Sequence, residues 1–386
     1  MSTTTGADQN PRERNASINK AEFERRDLRL TSYPTMLFLE LTQNCNLACK
    51  MCRDQSPYDP KLDMSPEVFD RAMTELGPYA ELIDLHGWGE STILAGFHDR
   101  LIRTLETGAR VRLVTNGHAM TRRLWDALFN AESIVVVSFD SASPANFQAL
   151  GRGDFDRVVR NVRQGAEIRN LKGRGTISFN VVVNSYTLSE LSDIVRLAAD
   201  LGVNRVLVNP IKCSPDHPAH LRNSVDRIPA ELDRASAAAR EVGVKMQLGA
   251  ALDDSLAVEY GLPVVCSNPW TNALIDHRGH IGYCHHAIGR PEYVFGSLLE
   301  NSFASVWNGP DFIELRRQLV EAATTRRVSS KFPKCEWCYH NRYRDGEFPA
   351  ESVEDREVST ETGLPLYKPA GTPAPKASPF VILNNK

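Results

Sequence analysis

From residue 36 onward the apolar positions switch repeatedly between a period of two and a period near 3.6. The run MLFLELT at 36–42 reads as a strand. Residues 65–76 read as a helix, with Ser65 as N-cap, Pro66 at the first helical position and Glu67 in the first turn. The alternation continues as strand 83–87, helix 97–107, strand 111–115 closed by Asn116-Gly117, and helix 122–131. Strand 133–139, helix 155–170, strand 177–183, helix 188–201, strand 203–208 and helix 230–242 follow. Strands alternating with helices predict βα units and a parallel sheet. The apolar runs at 134–137 and 181–183 fit strands covered on both faces. Six such units are too few to close an eight-fold barrel. They predict an α/β fold, a partial (β/α)6 TIM-like barrel over 35–250, with the chemistry at the C-terminal strand ends.

The pattern changes after residue 250. Residues 271–284 read as a hairpin with Gly279 in the turn, followed by helices at 303–307 and 312–322. These predict a small second domain over 251–346. Residues 347–386 hold Pro365, Pro369, Pro373, Pro375 and Pro379 and read as an extended tail. Residues 1–34 show no sustained apolar period and read as a flexible arm, with a weak helix over 20–30.

Composition narrows the class. The 386 residues carry 45 basic and 48 acidic side chains, a formal charge of -3. No basic excess argues for a nucleic-acid partner. No run of 18 apolar residues argues for a membrane span, and no apolar stretch near residue 1 argues for a secretory signal. The expected compartment is the cytoplasm, where thiols stay reduced. There the eight cysteines point to metal before disulfides, because they are clustered.

Cys45, Cys49 and Cys52 form a C-x3-C-x2-C loop directly after the first strand. Cubane iron–sulfur clusters normally take four thiolates. Three on one loop leave one iron open to bind a small molecule. Zinc lacks a local fourth ligand, since the nearest histidine is His86.

This loop resembles the signature of the radical SAM superfamily, as does the architecture around it. The resemblance implies that the open iron chelates S-adenosylmethionine, whose reductive cleavage gives a 5′-deoxyadenosyl radical. The protein's part is to bind, orient and shield. An electron donor such as flavodoxin or ferredoxin is implied as a partner. Gly87-Trp88-Gly89-Glu90, at the second strand end, resembles the family's Gly-Gly-Glu-Pro motif contacting the methionyl amine, with Ser91 in place of proline. Ser138 and Asp140 resemble the Ser-x-Asp-Gly stretch facing the methionyl carboxylate or ribose. Asn180 and Asn184 suit the ribose, and Met51 stands where the family places a bulky residue near adenine.

Cys266, Cys284, Cys335 and Cys338 supply four thiolates, a closed set that fits zinc as well as an iron–sulfur cluster. Residues 296–303, 306–308 and 315–316 resemble the C-terminal extension of SPASM/Twitch radical SAM enzymes. That resemblance implies one auxiliary [4Fe–4S] cluster, in the Twitch manner, serving electron transfer with a substrate radical.

Cys213 follows the sixth strand and is a candidate hydrogen-atom donor. Candidate bases at strand ends are His86, Lys212, Asp216, His217 and His285. The cysteine layout resembles that of aminocyclitol dehydrogenases. It implies oxidation of a carbinol carbon in an amino sugar or aminocyclitol, whose ammonium and hydroxyl groups Asp84, Asp140 and Asp216 would bind. Epimerisation through Cys213, diol dehydration and peptide modification are the alternative reactions. The 34-residue arm is short for the leader-binding domain that many peptide-modifying members carry. A zinc-stabilised binding module is the non-enzymatic alternative.

Overall fold

The computed structural model describes residues 10–52, 58–211, 217–248 and 265–325, with 328, 331–333, 335, 358–359 and 364–365 beyond them. Lys212, Cys213, Asp216, Cys338 and nearly all of the tail lie outside the described residues. The chain divides into two compact units. One gathers residues 1–45, 57–113 and 265–336, the other 46–56, 114–264 and 337–386. Among the described residues no helix is long and apolar enough to cross a membrane.

In the first unit β1 (Met36–Leu39) pairs in parallel with β2 (Leu82–Leu85), and β2 with β3 (Arg110–Thr115). The hairpin of β8 (Asn272–Ile275) and β9 (His280–Gly282) turns at Gly279, whose φ of 85° is the left-handed region that suits glycine. β8, the first strand of the expected second domain, pairs in parallel with the other edge of β1, Leu37 opposite Ala273. That pairing explains why residues 265–336 cluster with the first strands. β10 (Gly296–Ser297) completes this run against β9.

The expected arm contains a 15-residue helix, α1 (Pro11–Arg25), capped by Asn10, with Pro11 at its first position. It docks through polar side chains. Asn19 Nδ2 donates to Ser32 Oγ at 2.9 Å and to the Trp270 carbonyl at 2.7 Å. Both Glu22 oxygens accept from Thr31 and Ser32. Asn15, Asn19 and Glu22 are buried, so hydropathy carries no periodic trace of this helix. Helices α2 (Pro66–Glu75) and α3 (Phe97–Glu106) follow β1 and β2. α9 (Asn268–Thr271), α10 (Phe303–Trp307) and α11 (Pro310–Thr325) belong to the C-terminal segment, and α4 (Arg122–Asn130), α6 (Phe155–Lys172), α7 (Leu191–Asp200) and α8 (Ile228–Val242) lie in the second unit.

The second unit carries four parallel strands, β4 (Ile134–Ser138), β5 (Thr176–Val183), β6 (Arg205–Pro210) and β7 (Lys245–Leu248). β7 and the short α5 (Pro144–Ala149) add to the elements read from sequence. Val135, Val137, Ile177, Phe179, Val181, Val183, Val206 and Val208 form one fully buried face. On the opposite face Val136 and Ser178 are buried as well, while Ile134, Ser138, Asn180, Val182, Leu207 and Asn209 are half buried. The runs at 134–137 and 181–183 are therefore fully covered on one side and partly covered on the other. Their second face becomes polar toward the C-terminal ends.

Candidate active site

Cys45 is half buried, Cys49 buried and Cys52 exposed. From Asn46 the loop belongs to the second unit, where a wall backs it. Lys50 N–H donates to the Leu150 carbonyl at 3.0 Å, Cys49 Sγ to the Gly151 carbonyl at 3.4 Å, and Asn116 Nδ2 to Asn46 Oδ1 at 2.9 Å. Gly151 and Gly153 both have φ near 80°. A Cβ on Gly151 would stand 3.1 Å from Cys49 Cα, and one on Gly153 would stand 2.7 Å from His118 Nε2. His118 accepts from Asp154 N–H at Nε2 and faces Asn116 Oδ1 through Nδ1. That pattern assigns it the neutral Nδ1–H tautomer, and burial pulls its pKa down in agreement.

Between those glycines lies Arg152, which sequence reading passed over. It is buried and bonded through Nε to Asp140 Oδ2, while Asp140 Oδ1 accepts from Val182 N–H at 2.6 Å. Burial opposes the guanidinium's charge. The fields of Asp140, Cys49 and Cys52 outweigh that and raise its pKa. Burial pushes the Asp140 carboxyl up against the pull of Arg152. Asp140 is therefore a fully buried anchor with both oxygens engaged. The sequence signal was a G-R-G triplet directly after α5.

In the first unit the Gly87-Trp88-Gly89-Glu90 loop folds onto the residues just before Cys45. A Cβ on Gly89 would run into the carbonyls of Thr42 and Asn44, so this approach requires glycine. Glu90 N–H donates to the Asn44 carbonyl at 2.8 Å, and the Glu90 side chain caps the turn at Ser91–Ile93. Glu40, buried at the end of β1, accepts Trp88 N–H at 3.0 Å, Gln43 Nε2 at 3.0 Å and His277 Nδ1 at 3.1 Å. Burial alone would raise the Glu40 pKa. The donors His277, Trp88 and Gln43 bring it below the ordinary value. Glu40 was legible as a carboxylate inside the apolar run at 36–42, yet His277 could not be assigned to it from sequence.

The other expected site residues separate by surroundings. Ser138 lies opposite Asn180 in register, both half buried, and Asn209 Nδ2 donates to Asn180 Oδ1 at 2.9 Å. Asn209 is an addition to this polar edge. Asn184 is fully buried, and its Oδ1 accepts Tyr186 N–H at 3.0 Å to close a turn. Met51 is half buried. His217 is exposed and caps a turn through Ala219 N–H. Asp84 is fully buried and bonded to Arg112.

At the second cysteine set, Cys284 and Cys335 are buried and Cys266 half buried. Tyr283 Oη lies 2.7 Å from Cys335 Sγ, and Asn268 Nδ2 donates to Cys284 Sγ at 3.6 Å. The Phe295 ring stacks on Tyr283, and Phe312 and Phe332 pack around Phe295. Among the described residues no three His, Cys, Asp or Glu side chains converge as ligands of one ion do. A cubane takes each thiolate on a different iron and needs no such convergence. Soft sulfur donors, a buried cation beside two of them and a dry aromatic wall around others fit iron–sulfur clusters.

A model of the Radical SAM superfamily matches residues 39–198, and one of an iron-sulfur cluster-binding domain, SPASM, matches residues 266–340. The tungsten-containing aldehyde ferredoxin oxidoreductase cofactor-modifying protein of Pyrococcus furiosus is 24% identical over 72% of this chain and 82% of its own. The PqqA peptide cyclase of Ruegeria pomeroyi is 24% identical over 71% of this chain and 74% of its own. Among solved structures, Streptococcus suis SuiB bound to S-adenosylmethionine is similar with a TM-score of 0.58 at 16% identity. That match covers 85% of this chain and 76% of SuiB, and it shows a shared fold. The chain therefore carries a radical SAM domain followed by a SPASM domain, and its cofactors are S-adenosylmethionine and iron–sulfur clusters.

Proposed function

We propose that this protein is a radical SAM enzyme that modifies a peptide, with one auxiliary cluster at Cys266, Cys284, Cys335 and Cys338. When bound, S-adenosylmethionine and its cluster supply a 5′-deoxyadenosyl radical that removes a hydrogen atom from carbon. Cys45, Cys49 and Cys52 would hold the cluster that binds S-adenosylmethionine. Glu40 holds the Gly87–Glu90 loop, which would meet the methionyl amine. Arg152 offsets the charge of the thiolates at Cys49 and Cys52. Ser138, Asn180 and Asn209 offer donors and acceptors at their strand ends.

The observation that carries the substrate class is the engagement of the two acidic side chains expected to hold an amino sugar. Asp84 and Asp140 are buried and bonded to Arg112 and Arg152. Neither offers an exposed carboxylate to an ammonium group. Of the two relatives, the PqqA peptide cyclase supports a peptide substrate, while the other is named for modifying a cofactor. The amino sugar dehydrogenation that the cysteine layout implied, epimerisation through Cys213 and diol dehydration become outcomes of the test.

The test uses anaerobically reconstituted protein, S-adenosylmethionine and a reductant. One arm holds a perdeuterated peptide library, the other a deuterated aminocyclitol panel. Deuterium is read in 5′-deoxyadenosine and mass change in the substrate. Transfer from peptide with loss of hydrogen from that peptide supports the proposal. Transfer from an aminocyclitol alone overturns it.

A further inference from the structure

The two faces of the first unit's sheet differ. Leu37, Ile83 and Val111 form one wholly apolar face. The other carries Phe38, Asp84 and Arg112 in register across β1, β2 and β3. His86 continues this face past the end of β2, and His285 adds a second imidazole from the turn after the hairpin. Asp84 Oδ2 is bonded to Arg112 Nη2, and His86 Nδ1 lies 3.9 Å from the same oxygen. Asp84 Oδ1 is buried with no hydrogen-bond partner among the described residues. The His285 ring stands 6.4 Å from His86 and packs on Phe38 at 5.1 Å. The Arg112 guanidinium lies 5.8 Å over the Phe38 ring.

We propose that His86 is the proton acceptor of the reaction and that Asp84 and Arg112 are its positioning pair. The inference rests on the peptide-modifying reading: where a carbon radical bonds to an N–H, O–H or S–H group, that group gives its proton to a base and the bonded product gives up one electron, for which the auxiliary cluster proposed above would be the acceptor. The step itself is a proton transfer. The X–H bond breaks, its electron pair stays on X, and the proton goes to Nε2 of the neutral imidazole.

Three observations select His86. Its side chain is 35% exposed and makes no hydrogen bond to a described residue, so the ring edge away from Asp84 is open to substrate. It directly precedes the Gly87–Glu90 loop, which places it beside the cofactor end of the sheet. Among the described residues the titratable groups beside it are Asp84, at 3.9 Å, and His285, whose ring centroid is 6.4 Å away, with Arg112 bonded to Asp84 behind them. Once protonated, the ring is stabilised by the carboxylate 3.9 Å away. Asp84 is too deeply buried to meet substrate, and Arg112 holds no lone pair to accept a proton.

The test is a holoenzyme assay of His86→Gln and Asp84→Asn, reading 5′-deoxyadenosine and modified substrate across pH. In His86→Gln the ratio of product to 5′-deoxyadenosine should fall on the order of 100-fold. The wild-type loss of product at acid pH should be absent from its residual activity. Asp84→Asn should retain that acid limb and move it to lower pH, because the imidazolium loses its carboxylate. A merely structural role would move neither the limb nor the ratio of product to 5′-deoxyadenosine. An unchanged ratio in His86→Gln at every pH overturns the proposal. If the wild type modifies an aminocyclitol instead of a peptide, the substrate reading falls. The same ratio, measured on that product, then judges His86 separately.

Discussion

The two cysteine sets stand in opposite surroundings. Cys49 and Cys52 have a buried guanidinium in their field, and that guanidinium is tied to a buried carboxylate. Cys284 and Cys335 have aromatic rings, a phenol and an amide. The unit that holds Cys335 also contains a buried arginine, Arg316, which bonds to no carboxylate among the described residues. Arg316 donates to the carbonyls of Pro269, Leu28 and Trp307 and lies 4.4 Å over the Trp307 ring. Burial pulls its pKa down to about 9, which still leaves it charged at neutral pH. Charge therefore does different work in the two places. One cation neutralises a ligand loop, while the other ties together three segments of backbone.

The largest expected effects test whether the two sets are separate sites. Cys49→Ala should reduce 5′-deoxyadenosine formation below detection and abolish the effect of S-adenosylmethionine on the cluster's spin resonance. Cys335→Ala should lower the iron content by a comparable amount and keep that resonance effect. Loss of the effect in both variants would mean that the second set serves the first.

Next come the two arginines. Arg152→Ala leaves Asp140 charged and buried, at a cost of about 3–5 kcal/mol. Removing the carboxylate as well, in Arg152→Met with Asp140→Leu, should recover more than half of that in a denaturant titration. Arg316→Ala orphans carbonyl acceptors instead, at about 2–4 kcal/mol. No single second substitution should recover it. Recovery in the Arg316 background would break the distinction.

Glu40 gives a smaller effect with a definite sign. Its folded pKa lies below the unfolded one, so its contribution is fully present above the unfolded value. That contribution is lost as pH falls through the folded value. Glu40→Gln should cost about 1.5–3 kcal/mol near neutrality and flatten the acid limb of stability. Because Glu40 holds Trp88 N–H, the variant should also bind S-adenosylmethionine more weakly, as equilibrium dialysis would show.

Legibility in the sequence followed the same division. The strand and helix alternation of 36–242 was readable because apolar side chains at fixed periods carry it, as in α2 and β5. Helix α1 was not, since Asn15, Asn19 and Glu22 dock it through hydrogen bonds. Cysteine spacing singled out the two sets proposed as ligands. It said nothing of Arg152, whose role depends on a glycine-flanked turn meeting a loop about 100 residues earlier. Asp84 and Asp140 looked like substrate contacts because sequence shows charge but not its partner. The pairing of β8 with β1 was hidden for the same reason, as register between segments over 200 residues apart leaves no local pattern.

The finest expected difference concerns Tyr283. When Cys335 is a thiolate it can only accept, so the phenol must donate to it. Burial, followed by the fields of Cys335 and Cys284, pushes the Tyr283 pKa well up, so the phenol keeps its proton through the working range. A donor to a ligand sulfur stabilises the more electron-rich, reduced state of a cluster and raises its potential. Tyr283→Phe keeps the ring against Phe295 and removes only the donor. Stability should fall by about 1 kcal/mol. A spectroscopic redox titration should find the auxiliary potential moved to more negative values, with the potential of the Cys45–Cys49–Cys52 site unchanged. Movement of both potentials together would mean that the phenol acts on the fold rather than on one sulfur.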